Sequence, residues 1–197
     1  MVDTMSTPDV RIATPTEIDQ CVATIVLAFS SDPAARWAFA DPHVYFEVFP
    51  RFVRAFGGKA FDQGSAHLIP GCAAALWIPP GFEPDEEAMV ALIESAVAES
   101  NREAMFGMFE QMGAFHPAEP HWYLPLIGTD PAKRGNGYGS ALLRHALAIC
   151  DRQKMPAYLE ATSARNVPLY QRHGFEALGT IQVGSSPPIT PMLRRPR

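Results

Sequence analysis

Arg134, Gly135, Asn136, Gly137, Gly139 and Ser140 follow an apolar run, Pro125 to Thr129, and lead into a second apolar run at helical spacing, Ala141 to Cys150. A strand that delivers a basic residue and alternating glycines to a helix start brings unpaired backbone N–H groups and the positive end of a helix dipole to one point. Glycine alone lets the backbone approach a ligand that closely. The arrangement predicts a cradle for an anion, a phosphate above all. A bare helix cap would need one glycine rather than three.

The elements that must hold this cradle are legible around it. Spacing predicts a strand over His121 to Thr129, a helix over Gly139 to Arg152, a strand over Pro156 to Ala161 and a short helix over Pro168 to His173. A strand from Phe175 to the proline-rich Ser185-Ser186-Pro187-Pro188 and a last edge strand at Met192-Leu193 should follow. Upstream, Val10 to Ala13 alternates like a strand. Thr14-Pro15-Thr16-Glu17 then opens a helix whose apolar stripe runs from Ile18 to Phe29. Ser30 to Pro33 breaks it, Trp37 to Phe56 reads as one or two helices ended by Gly57-Gly58, and Ala66 to Pro70 with Cys72 to Ile78 reads as a hairpin. Two helices are expected between about 83 and 115. Their stripe of Met89, Met105, Met108 and Met112 suits either a core-packed pair or a pliable wall over a substrate pocket.

Composition narrows the partners. The 197 residues, 47% hydrophobic, suffice for a single domain over 1–197 with one buried core. A net charge of −5 shows no basic stripe, which argues against nucleic acid and leaves an amine-bearing small molecule. No apolar run approaches the roughly 20 residues of a membrane span, and Asp3, Asp9, Glu17 and Asp19 interrupt any export signal, so a cytoplasmic location without membrane contact is expected. Cys21, Cys72 and Cys150 form no paired motif, so neither a disulfide framework nor a metal site is expected.

Three fixed-spacing motifs compete for the glycine cluster. A nucleoside triphosphatase loop needs a lysine that does not follow Gly139. A dinucleotide fingerprint wants its third glycine where Ser140 stands, although Glu160 mimics its ribose-binding acid. The spacing that fits is R-x-x-G-x-G, at Arg134, Gly137 and Gly139. With it the chain resembles the GNAT superfamily of acetyl-CoA-dependent N-acetyltransferases, in particular the branch that contains puromycin N-acetyltransferase. The stretch Leu159 to Phe175 is similar to that branch's second block, and Asp32 to Trp37 and Ala75 to Gly81 match more loosely.

The resemblance implies an α/β (α+β) fold with a central mixed, mostly antiparallel sheet splayed in the middle and flanked by helices. The helical segment at about 83–115 would be an insertion before the coenzyme-binding strand, with the coenzyme motifs spanning 121–175. It implies that backbone groups of Ile127 and Thr129 hold the pantetheine arm of acetyl-CoA, that Arg134, Gly135, Asn136, Gly137, Gly139 and Ser140 wrap the pyrophosphate, and that Asn166 touches the coenzyme. Tyr170 would stand by the sulfur, where a phenol can protonate a leaving thiolate. For the general base, His121 and Glu160 both remain open. Phe29, Asp32 and Trp37 fall in the region that generally supplies the acceptor pocket, and an acid among aromatics suits a cationic amine. The implied reaction is direct acetyl transfer to a primary amine of a small molecule, antibiotic or metabolite. A protein-lysine or N-terminal acetyltransferase and a non-catalytic acyl-CoA sensor are the alternatives. Neither the acceptor nor a monomer-or-homodimer choice is set by the sequence.

Overall fold

The computed structural model describes residues 8–197. Seven strands, β1 (Arg11–Ile12), β2 (Ala66–Ile69), β3 (Ala73–Ile78), β4 (Trp122–Thr129), β5 (Ala157–Ala161), β6 (Glu176–Ala177) and β7 (Thr190–Arg194), form one sheet in the order β1-β2-β3-β4-β5-β7-β6. Every pairing is antiparallel except β4 with β5. The helices are α1 (Ile18–Phe29), α2 (Pro33–Ala38), α3 (Pro42–Gly57), α4 (Lys59–Asp62), α5 (Glu86–Ala96), α6 (Glu99–Phe115), α7 (Tyr138–Gln153) and α8 (Val167–Arg172).

Local chemistry accounts for most starts. Thr14 and Glu17 form a reciprocal capping box before α1. Asp32 and Asp41 each cap the helix that a proline then opens, and Asp85 caps α5. The Trp37-to-Phe56 run is thus two helices, broken between Ala38 and Pro42 rather than at Pro50. Pro50 sits four residues after the exposed Phe46, whose carbonyl can take water in place of the missing N–H.

One sheet face packs against the aromatic and methionine side chains of α1, α3, α5 and α6, including Phe49, Phe52, Phe56, Met105 and Met108. The other packs against α7 and α8 through Leu142, Leu143, Leu147 and Tyr170. A Cβ added at Gly128 would come within 2.5 Å of the Ala28 Cβ, so this glycine lets the end of α1 lie directly on β4.

The decisive feature is where β4 parts from β5. The two pair in parallel from Trp122 with Ala157 to Leu124 with Leu159, and no further. At the same place the register of β4 on β3 slips between Leu76 and Ile78, leaving one extra β4 residue around Leu124 and Pro125. Pro125 has no N–H to give either neighbour, so the ladder fails there for a covalent reason. Below the slip, Trp122 donates its N–H towards β5, to the Pro156 carbonyl, whereas beyond it Asp130 donates towards β3, to the Cys72 carbonyl. Alternation along the strand then turns the backbone groups of Ile127 and Thr129 into the gap.

Two expectations need correction. Met192-Leu193 is not an edge strand. β7 lies between β5 and β6, because Glu176 and Ala177 pair along its far side. The strand expected from Phe175 shrinks to those two residues plus an isolated bridge from Ile181 to Ile189, since the prolines and glycines of 179–188 cannot sustain a ladder.

Candidate active site

A cleft of about 480 Å³ opens where β4 and β5 diverge. Its anion end is built by the turn before α7. Gly135 and Gly137 take φ values of 85° and 76°, and a Cβ at either position would meet no protein atom within 4 Å. The space in front of the turn is therefore open, and only glycine takes this backbone without strain. Gly137 is the N-cap of α7 and no side chain caps the helix. The first intrahelical bond runs from the Ala141 N–H to the Gly137 carbonyl, so the N–H groups of Tyr138, Gly139 and Ser140 precede it and point out of the helix end. Several such donors with a helix dipole behind them favour an anion with several oxygens.

Side chains brace this turn. Arg134 donates to the Ala28 carbonyl at 3.1 Å, tying the loop to the end of α1. Asn136 donates back to the Lys133 carbonyl at 2.9 Å and does not line the cleft. Ser140 is held through Oγ, which receives Arg144 at 2.9 Å and lies 2.7 Å from His173 Nε2, so its backbone N–H is what it can offer a ligand. Arg165 and Arg172 line the cleft with Arg134 and make its wall cationic in a chain of net charge −5. Sequence reasoning passed over both, because single arginines on a short helix look like solvated surface.

Tyr170, Asn166, Asp32 and Glu160 also line the cleft. Tyr170, on α8, is buried and lines the cleft. Burial, and secondarily the Asp32 carboxylate, raise its phenol above the ordinary value, so it stays protonated. Asn166 occupies the N-cap position of α8 without capping it, leaving its exposed amide to the cleft. Asp32 does two jobs. Oδ1 caps α2 through the N–H groups of Ala34 and Ala35, and Oδ2 accepts from Thr162 Oγ1 at 2.6 Å. Burial raises its carboxyl against those bonds. Phe29 and Asp32 also line a contiguous apolar cavity of about 70 Å³, walled by Phe49, Phe52, Phe56, Met105, Met108 and Met112. Met105, Met108 and Met112 are thus core and cavity wall at once, while Met89 packs in the core without lining the cavity.

Glu160 lines the cleft with its side chain 3% exposed. Its Oε1 lies 3.3 Å from His116 Nε2, and His116 Nδ1 lies 3.1 Å from His121 Nε2. His121 itself does not line the cleft and meets it through these two partners. His116 escaped sequence reasoning because it ends α6, far along the chain from Glu160. Trp37 lines neither cavity. Its indole N–H donates to Ser185 Oγ at 3.2 Å. Among the described residues, no group of three or more His, Cys, Asp or Glu is placed to hold a metal ion, and no helix is long and apolar enough to cross a membrane.

Known proteins share this fold. The model of the acetyltransferase (GNAT) family matches residues 71–175. An uncharacterized N-acetyltransferase of Schizosaccharomyces pombe is 31% identical over 78 residues, which are 38% of this chain and 32% of that protein. The match therefore spans about a third of the yeast relative's length. The crystal structure of histone acetyltransferase HPA2 and related acetyltransferase from Corynebacterium glutamicum superposes with a TM-score of 0.70 at 28% identity, covering 97% of each chain. Arylalkylamine N-acetyltransferase 2 from Aedes aegypti shares the fold at a TM-score of 0.68 and 12% identity, covering 96% of this chain and 99% of that one. The Drosophila melanogaster polyamine N-acetyltransferase does so at 0.64 and 16%, covering 95% and 99%.

Proposed function

This chain belongs to the acetyltransferase (GNAT) family, and on that premise we propose that it moves acetyl from acetyl-CoA to a primary amine of a small molecule. One observation carries the reading. A single cleft joins the uncapped amides at the start of α7, the unpaired β4 edge at Ile127 and Thr129, and the buried phenol of Tyr170. These are a diphosphate grip, an extended main-chain partner for an amide-bearing arm, and an acid at the far end.

Acetyl-CoA, as co-substrate, supplies the thioester carbonyl that the amine attacks. Gly135, Gly137, Gly139 and Ser140 hold the pyrophosphate through backbone N–H groups, while Asn136 and Arg134 keep the turn in shape and Arg165 and Arg172 add positive charge. Ile127 and Thr129 hold the pantetheine arm, and the Ile127 N–H faces the oxyanion. Asn166 contacts the coenzyme with its uncommitted amide. Tyr170 keeps a proton where the sulfur must leave. Glu160 is the base at the vertex. Direct attack in a ternary complex needs no enzyme nucleophile. Cys21 and Cys150 are buried thiols held up at about 11 and about 12, far from thiolate character.

The acceptor side favours a small amine. Asp32 offers a carboxylate beside Phe29 and the methionine-walled cavity, which suits an ammonium with a short apolar arm. The helical segment 83–115 covers this side as an insertion within one domain spanning the chain. Turnover is read as thiol released from acetyl-CoA with phenethylamine, agmatine, puromycin and a lysine-containing histone-tail peptide. Release with an amine and not with the peptide supports the reading, and release with puromycin would extend the branch resemblance to its substrate. Release with the peptide alone would turn it to a protein acetyltransferase. Tight coenzyme binding with no release from any acceptor would make the chain an acyl-CoA sensor.

A further inference from the structure

The Glu160–His116–His121 contacts contain a proton count. His121 Nδ1 lies 2.9 Å from the Glu119 carbonyl oxygen, which can only accept, so that nitrogen carries a hydrogen. Two contacts remain, His121 Nε2 with His116 Nδ1 at 3.1 Å and His116 Nε2 with Glu160 Oε1 at 3.3 Å, and each needs one proton between its atoms. Two neutral imidazoles own two hydrogens, and one is already committed to Glu119. All three contacts close only when a third proton is present, on the carboxylate or on an imidazole, which makes the trio neutral overall. Without it, one contact sets acceptor against acceptor in a buried place.

The trio runs from the cleft wall to the outside. Glu160 faces the cleft, His116 is 28% exposed at the end of α6, and His121 sits in the loop before β4 beside Glu119. The other titratable groups around it are the phenols of Tyr123 and Tyr158, from β4 and β5, whose rings flank His116 at 4.6 and 4.3 Å, and the Arg195–Glu119 ion pair at the outer end. Burial and the Glu160 charge raise both phenols, so they stay neutral and do not compete for the proton. Burial, above all, holds His121 below the ordinary imidazole value, so a proton reaching it passes on to water.

Resting on the acetyltransferase reading above, we propose that Glu160, His116 and His121 act as one proton relay that takes the proton of the acceptor ammonium at the cleft and releases it to solvent beside Glu119. The ammonium N–H bond breaks, its electron pair stays on nitrogen for attack, and the proton closes the open contact of the trio. An equivalent proton leaves His121 to water, and nothing is oxidised or reduced. Glu160 is the residue that meets substrate. His116 is a positioning residue that acts through it.

The test compares wild type with His116→Ala, using acetyl-CoA with phenethylamine and with β,β-difluorophenethylamine, whose ammonium is more acidic. Without the relay, kcat/KM for phenethylamine near neutral pH should fall by about 10²-fold, the scale of general-base assistance. The loss should shrink for the fluorinated amine and as pH rises, and added imidazole should restore part of it. Equal losses for both amines with an unshifted pH profile would overturn the relay, since a structural defect does not read acceptor acidity. Nitrogen NMR of the wild-type imidazoles needs neither turnover nor a stable variant. His121 should carry its hydrogen on Nδ1, and the ring-nitrogen shifts of His116 and His121 should change together as pH is varied, since the two rings share one proton. Independent titrations would overturn the relay even if no amine is acetylated, whereas coupled titrations with no amine acetylated would leave the relay standing and overturn the acceptor reading.

Discussion

At the scale of single residues, the site separates atoms that hold from atoms that react. Tyr170 is the proposed acid: its phenol, raised by burial, keeps its proton in the cleft. Tyr170→Phe should lower kcat by roughly 10- to 100-fold with coenzyme affinity nearly unchanged, read by steady-state kinetics beside a coenzyme A titration; an unchanged kcat would remove the phenol from the chemistry. Gly137→Val should do the reverse. It strains a φ of 76°, which costs stability, and pushes a branched side chain into the open space before the α7 amides, so steric block should lower coenzyme affinity by at least tenfold, about 1.4 kcal/mol. Gly137 was legible in the sequence because a glycine at a helix start is a local fact, whereas Tyr170 stood out only through the family resemblance. His116 was not, because its partner Glu160 is reached only through the packing of the end of α6 against β5. Trp37 is the converse case: its aromatic type suited a pocket, and a partner far along the chain, Ser185, holds its indole N–H.

At the scale of elements, the cleft depends on joints between pieces of chain. Asp32 joins the cap of α2 to Thr162 beyond β5. Asp32→Ala should cost about 1–2 kcal/mol, the value of a lost N-cap, seen as a lower Tm. Asp32→Asn keeps a capping oxygen, so it should preserve the Tm while raising KM for a cationic amine; equal effects of the two variants on KM and Tm would mean that the charge reads no substrate. Arg194 of β7 joins α7 to α8. It pairs with both oxygens of Asp151, at 2.7 and 2.8 Å, and donates to the His173 carbonyl. The Arg194 hydrogen bonds hold the Asp151 carboxyl below its ordinary value. Stability from this pair is therefore fully present above the ordinary carboxylate pKa and is lost as pH falls through the depressed one. Asp151→Asn should flatten that acid limb of a Tm-against-pH curve and cost roughly 2–3 kcal/mol at neutral pH, since it strands a nearly buried guanidinium. An acid limb as steep as wild type would contradict this assignment. The splay of β4 was only half legible: Pro125 is visible in the sequence, but the register slip it accompanies is a property of the pairing with β3.

At the scale of the molecule, an acidic chain lines one cleft with three arginines, Arg134, Arg165 and Arg172, and with two carboxylates, Asp32 and Glu160. On the proposed reading, the arginines suit the anionic carrier and the carboxylates the ammonium. The family resemblance was legible from the order of two motifs, and the fold it implied is the one observed. The lining of the apolar cavity came only from how α3 and α6 fold over the sheet. The central claim is that main-chain amides, rather than side chains, grip the coenzyme. A titration of the ¹⁵N-labelled protein with coenzyme A, followed by amide shifts, tests it most directly. The account predicts the largest shifts at Gly135, Gly137, Tyr138, Gly139 and Ser140, with a second group at Ile127 and Thr129, and saturable binding that weakens with salt. Saturable binding that leaves these amides unmoved would contradict it.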